Sequence, residues 1–264
     1  MASDVQLCVT CLIDLFRPQA GQAALRVLER RGATVRFPAD QTCCGQFSYN
    51  AGYRREAAAL ARHFIEVFER SPEPVVMLSG SCAAMVIHEY PDLLAEDAAE
   101  RGESVDAWRT RAEAIGRRVV EFSQWLKTHS HPDPQPADPT AAVVHHVGCH
   151  MRRLLKDTRS SRDALIAAHI SPEEPDTADD CCGFGGTSSI TEPVVAAALA
   201  DAKWASFEPF LAAGASGVTG ADLGCLLHLA GRRDFLGRPA PVWYLAEVVD
   251  AAETGQWPPA GGDE

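Results

Sequence analysis

Apolar positions along the chain follow two rhythms. Ala57, Leu60, Ala61, Phe64 and Phe68 recur at helical spacing, which predicts an amphipathic helix over residues 54–70, stopped by Ser71-Pro72. Short apolar runs at residues 5–10, 34–37 and 75–78 predict buried strands, and residues 22–31 a helix closed by Gly32 in a left-handed cap. The same order then returns: a strand at 142–147, helices at 158–169 and 192–213, and a strand at 217–221. A last strand at 242–245 and a closing helix end the second set, while residues 104–128 read as one helix leading out of the first. Strands alternating with helices predict an α/β fold of two pseudo-symmetric repeats with parallel sheets, and ligands collect at the carboxyl ends of such strands.

The 264 residues suit one large domain or two smaller ones. The halves divide naturally into a first repeat at 1–128 and a second at 140–253. Residues 129–139 carry four prolines and suit an extended linker, and residues 254–264 read as a Gly/Pro-rich flexible tail. A net charge of −12 repels phosphates and anionic lipid, so nucleic acid is not an expected partner. No apolar run approaches the roughly 18 residues of a membrane span, and residues 1–10 lack a basic region followed by an apolar core. The expected compartment is the cytoplasm, where structural disulfides are rare.

Nine cysteines therefore need another explanation. Cys11 and Cys43 are 32 residues apart, as are Cys149 and Cys181, and in each case the second opens a Cys-Cys-Gly triplet. Cys82 and Cys225 follow, each after a turn containing glycine, Ser79-Gly80-Ser81 and Asp222-Leu223-Gly224. The two copies are offset by 138 residues. By the strand positions, Cys11, Cys82, Cys149 and Cys225 fall at strand carboxyl ends, and folding back of the Cys-Cys-Gly loops gives four converging thiols per copy. Thiolates suit iron–sulfur clusters or zinc. Zinc sites usually draw ligands from C-x-x-C knuckles, whereas adjacent cysteines point apart and reach two metal atoms of a cluster more easily. Gly45 and Gly183 permit positive φ and close approach of backbone to an inorganic core. An iron–sulfur cluster is the favoured occupant, with zinc and inert buried cysteines as the alternatives.

The whole set resembles the cysteine-rich CCG domain, in which a lone cysteine, a distant Cys-Cys-Gly triplet and a closing C-x-x-C usually occur twice. That domain is found in heterodisulfide reductase and in iron–sulfur subunits of glycerol-3-phosphate and glycolate oxidising enzymes. Within the family the sequence looks most like the lactate-utilisation protein A group, in Val9-Thr10-Cys11-Leu12-Ile13-Asp14, Gln41-Thr42-Cys43-Cys44-Gly45-Gln46, Ser79-Gly80-Ser81-Cys82-Ala83-Ala84-Met85, Cys181-Cys182-Gly183-Phe184-Gly185-Gly186-Thr187 and Gly224-Cys225-Leu226. The resemblance implies two clusters, 4Fe-4S in type. Cys11, Cys43, Cys44 and Cys82 would hold one, and Cys149, Cys181, Cys182 and Cys225 the other. It also implies oxidation of L-lactate, a small 2-hydroxy acid, to pyruvate, together with a B-like partner carrying ferredoxin-type clusters and a C-like subunit. Ser79 and Asp222 stand where the general pattern has the first cysteine of its C-x-x-C, a departure shared with the lactate-utilisation group. A cubane or another cluster type is left open by it.

Beyond the cysteines, His146 and His150 flank Cys149, and His228 follows Cys225 by three residues. Each is a candidate for proton transfer, for a hydrogen bond to cluster sulfur, or for iron ligation, against the simpler reading of a hydrogen-bonded loop histidine. His88, His129 and His131 carry no such signal. Cys8 reads as a buried strand cysteine, with a fifth ligand as the alternative, and Asp222 as a turn or helix cap, with iron ligation through oxygen as the alternative. Gly183-Phe184-Gly185-Gly186 lacks the third glycine of a dinucleotide loop and fits instead a tight wrap beside a cluster. No flavin or nicotinamide motif is present, so electrons would pass to a partner. A thiol–disulfide reductase, an electron relay without its own substrate and a zinc-stabilised interaction protein are the competing functions.

Overall fold

The computed structural model describes residues 3–129 and 141–258. The expected linker lies outside the described residues from 130 onward, and so does the tail from 259. Two parallel four-stranded sheets carry the fold. In the first, β1 (Ser3–Cys8), β2 (Ala33–Arg36), β3 (Val75–Met77) and β4 (Val119–Glu121) lie in the order β2-β1-β3-β4. In the second, β5 (Ala142–His146), β6 (Ser171–Glu173), β7 (Val218–Gly220) and β8 (Val242–Tyr244) lie in the order β6-β5-β7-β8. The α/β repeat architecture expected from the sequence is the one found. Register repeats too: Cys8 pairs with Met77 at the end of β1, and His146 with Gly220 at the end of β5. In this strand order the crevice between the first and third strands is where loops part, so the residues after β1, β3, β5 and β7 are the ones free to build a site.

Most predicted elements stand within a few residues of their expected ends. The helix expected at 22–31 starts earlier, at Pro18, because proline at a first helical turn loses no hydrogen bond. Gly32 closes it at φ 80°. The exception is 104–128, which is a helix (Val105–Gly116), then β4, then a second helix (Phe122–Thr128). Val119 and Val120 are β-branched and extend beside Val75 and Val76 of β3. Glu121 ends the strand and caps the next helix in a capping box with Gln124.

The halves share one core. The closing helix of the second half, Leu245–Thr254, packs on the first long helix of the first half, Pro18–Arg30. Reciprocally, Phe122–Thr128 packs on Ser160–Ala167 of the second half. Buried Val27, Leu28, Trp125, Leu165, Tyr244 and Val248 belong to a single apolar cluster spanning both halves. At its rim Arg26 and Arg30 meet Asp250 at 2.5 and 2.6 Å, and Arg30 and Arg31 meet Glu253 at 2.8 and 2.5 Å.

Glu121 is fully buried near this junction. One of its carboxylate oxygens accepts from the Ser123 amide at 2.7 Å and from the Ser123 hydroxyl, and the other has no partner. Burial pushes its carboxyl from the ordinary 4.5 up to about 8. Below pH 4.5 the folded and unfolded chains both hold this proton. Between 4.5 and about 8 only the folded chain does, so stability falls as pH rises, and above 8 the loss is complete. Urea unfolding at pH 5.5 and 8 should show the wild type losing stability and Glu121→Gln losing clearly less. Equal losses would show that Glu121 is ionised in the fold.

Candidate metal centre

Each cysteine of the two sets comes from a loop or helix start at the carboxyl end of its sheet. Cys11 opens the helix Cys11–Phe16 after β1, and Cys149 opens Cys149–Arg153 after β5. Cys82 lies in Gly80–Ala84 after β3, and Cys225 in Leu223–Phe235 after β7. Cys43-Cys44 and Cys181-Cys182 return on loops to the same ends. The sulfurs then form the same chain in each half. Cys11 Sγ is 3.5 Å from Cys43 Sγ, Cys43 is hydrogen-bonded to Cys44, and Cys44 to Cys82. Cys149, Cys181, Cys182 and Cys225 are linked in the same sequence.

The triplet glycine completes this arrangement. The Gly45 amide donates to Cys43 Sγ and the Gly183 amide to Cys181 Sγ, each at 3.4 Å. These glycines take φ 85° and 92°, and a Cβ on Gly183 would lie 2.4 Å from the Ala196 carbonyl oxygen. Donation from Cys11, Cys44 and the Gly45 amide pulls the Cys43 thiol down to about 3. Donation from Cys149, Cys182 and the Gly183 amide pulls Cys181 to about 2. Cys11 and Cys149, as the donors, are pushed up in turn. Thiolate is the form that binds metal, so each half favours one before any further charge arrives. Four clustered sulfurs, with peptide N–H groups aimed at them, fit a soft metal or an iron–sulfur centre.

Both sets open onto one cavity between the halves. All eight cysteines except Cys43 line it. The sequence implied one site per copy; it did not say that the two would face each other across a shared space.

A family model for the cysteine-rich domain, CCG, matches residues 5–87 and 143–230, and so takes in both sulfur sets. The chain belongs to the CCG family. Lactate utilization protein A of Halalkalibacterium halodurans is 38% identical, covering 94% of this chain and 97% of that protein. The protein of the same name from Bacillus pumilus is 38% identical over 94% of this chain and 99% of its own length, and that from Shouchella clausii 36% over 95% and 100%. In fold the chain is similar to the crystal structure of a hypothetical protein from Helicobacter pylori, with a TM-score of 0.65 at 10% identity. The match covers 98% of this chain and 51% of that one, so the chain spans about half its length.

The two positions at which this CCG chain departs from the general pattern meet each other. Ser79 Oγ donates to Asp222 Oδ1 at 2.8 Å, across the boundary between the halves. The same oxygen accepts from the Ser81 amide at 2.8 Å. Asp222 stands at the N-cap of Leu223–Phe235, as expected of a helix cap, but makes no cap bond there. It caps the short helix of the other half instead. Ser79 Oγ also accepts from the Cys82 amide at 3.3 Å, which ties this contact to a cysteine backbone. Gly148 makes room for it, since a Cβ there would lie 2.2 Å from Asp222 Oδ2.

The three candidate histidines fall in different places. His150 lines the cavity, with Nδ1 3.5 Å from Cys149 Sγ and Nε2 3.3 Å from Gln46 Nε2 of the first half. His228 Nε2 donates to the Ala196 carbonyl at 3.2 Å and is not part of the lining. His146 is buried behind the cysteines, and burial lowers its ring to about 3, keeping it neutral. Cys8 is likewise buried, next to Cys82 and Cys43, and burial pushes its thiol up. The sequence did not single out Gln46, Phe47 and Phe184, although all three line the cavity. Phe47 and Phe184 meet edge to face at 5.9 Å, one from each half. Their positions directly after the Cys-Cys-Gly triplets were the available signal. Gly183, Gly185 and Gly186 all have positive φ, as a tight wrap requires.

Proposed function

We propose that this chain is the iron–sulfur subunit of an oxidoreductase complex that converts L-lactate to pyruvate. The observation that carries the reading is the pair of identical four-sulfur chains facing one cavity, in a protein alike over nearly its full length to proteins named for lactate utilization. In it, Cys11, Cys43, Cys44 and Cys82 hold one cluster of 4Fe-4S type, and Cys149, Cys181, Cys182 and Cys225 the other. The repeats 1–128 and 140–253 are the two cluster-bearing units. A ferredoxin-type partner subunit receives the electrons, and a C-like subunit completes the complex.

Oxidation of a 2-hydroxy acid to a 2-oxo acid releases two electrons and two protons. Bound clusters would supply one-electron acceptors at the two ends of the cavity. The chain supplies enclosure and proton handling. His150 is the candidate to take the hydroxyl proton, because it alone of the three histidines faces the cavity and Gln46 orients its ring. Phe47 and Phe184 give the cavity lining an apolar surface.

A second reading, an electron relay whose substrate chemistry lies in a partner, is favoured by one observation. Among the described residues, the cavity lining includes no arginine or lysine to pair with a lactate carboxylate. Anaerobically purified chain, analysed for iron and sulfide and then mixed with L-lactate under EPR, separates the two. A lactate-dependent signal that His150→Ala loses supports catalysis on this subunit. Clusters that reduce with dithionite but not with lactate make it a relay. Zinc in place of iron after anaerobic reconstitution would overturn both.

A further inference from the structure

His146 and Cys8 occupy one position in the two halves. Each is the last residue of a central strand, with the last residue of the neighbouring strand, Gly220 or Met77, as its register partner. Each is 3% exposed. A ring nitrogen of His146 lies within 4.8 Å of both Cys182 Sγ and Cys225 Sγ. Neither of its nitrogens has a hydrogen-bond partner. Its contact with Phe207 at 6.5 Å between ring centres offers none. Burying an imidazole with both nitrogens unpaired is costly, and native interiors rarely leave such groups without a partner or ligand. His145, the preceding residue, shows the ordinary solution: its two nitrogens meet Glu174 at 2.8 Å and Ser161 at 2.9 Å.

Resting on the iron–sulfur reading above, we infer that His146 is a nitrogen ligand to iron in the second half, so that the two sites differ in donor set. The first half offers cysteine sulfur alone, with Cys8 behind Cys43 and Cys82. The second offers four cysteines and an imidazole. His146 stands where the first half has Cys8, so the second iron gains a neutral nitrogen where the first can gain a further thiolate, and the smaller negative charge stabilises the reduced state, as where histidines replace cysteines in other iron–sulfur centres. The second site therefore has the higher potential. An electron entering the pair settles in the second half, which gives a symmetric-looking repeat a direction.

Pulsed EPR on reduced protein carrying ¹⁵N-histidine tests this without turnover. The expected result is a strong, isotope-sensitive nitrogen coupling on one of two cluster signals, lost in His146→Gln and kept in His150→Gln and His228→Gln. His146→Cys should keep the cluster and move that signal's midpoint potential downward. If His146→Gln fails to fold, the labelled wild type beside His150→Gln and His228→Gln still decides. Iron in both halves with no histidine coupling, or a coupling that survives in His146→Gln, overturns the inference alone. Absence of iron from both halves after anaerobic reconstitution overturns the iron–sulfur reading beneath it.

Discussion

Cys182→Ser protein, purified anaerobically, should carry about half the iron of the wild type, and Cys44→Ser/Cys182→Ser protein close to none. Cys44 and Cys182 are the middle links of the two sulfur chains, each touching the preceding cysteine and the one on the next helix. Both are buried, and a serine hydroxyl is a poor ligand for iron where a soft thiolate stood. The two sets contain no common residue, and each is held by its own sheet. Losses should therefore add. Iron and acid-labile sulfide per chain, with circular dichroism to confirm the fold, provide the measurement. Loss of all iron from the Cys182→Ser protein would mean that one centre spans both halves, which the shared cavity makes a meaningful alternative.

The second large effect belongs to Asp222. Asp222→Ala should destabilise the fold by about 2–4 kcal/mol. Its Oδ1 is the acceptor for both the Ser79 hydroxyl and the Ser81 amide, and the side chain is only 3% exposed. Truncation leaves the Ser81 amide without its acceptor in a buried boundary, and leaves Ser79 Oγ only Ser81 Oγ, 3.0 Å away, to donate to. Asp222→Asn retains an acceptor oxygen at that place and should cost much less. Ser79→Ala also removes the Cys82 amide's acceptor. In a double-mutant cycle, Ser79→Ala and Asp222→Ala should couple by roughly 1–2 kcal/mol, because the residues share one hydrogen bond. Additive losses in urea denaturation would show that the two positions do not hold the halves together. Because the bond lies beside Cys82, the Asp222→Ala protein should also lose its iron faster to a chelator.

The convergence of the cysteines was legible because it is written in spacing. A loop length of 32 residues used twice, each time ending in Cys-Cys-Gly, survives any reading of the elements between. The broken helix at 104–128 was less legible. Val119-Val120-Glu121 is too short to outweigh the helical pattern on either side, and it becomes a strand because β3 offers it an open edge. Asp222 was expected to cap a turn or a helix start, as aspartate commonly does, but the sequence did not say which. Only the opposite half, 143 residues away at Ser79, supplies the better donor pair. Glu121 carried no sequence signal, since nothing local tells that a glutamate after two valines is buried to the last atom.

The sequence by itself determined the α/β repeat, the strand ends on which the cysteines sit and the membership of two equivalent sulfur sets. Those follow from local periodicity and from the covalent spacing of one repeated unit. The tertiary structure decided that the closing helices are exchanged between halves, that both sets open onto one cavity, and that Ser79 and Asp222 join where the general pattern has cysteines. It also decided that His150 faces that cavity while His146 is sealed behind it. These depend on how two sheets are set against each other. That arrangement is fixed by burial of the common core and by ion pairs between residues more than 200 positions apart, which no local window of sequence contains.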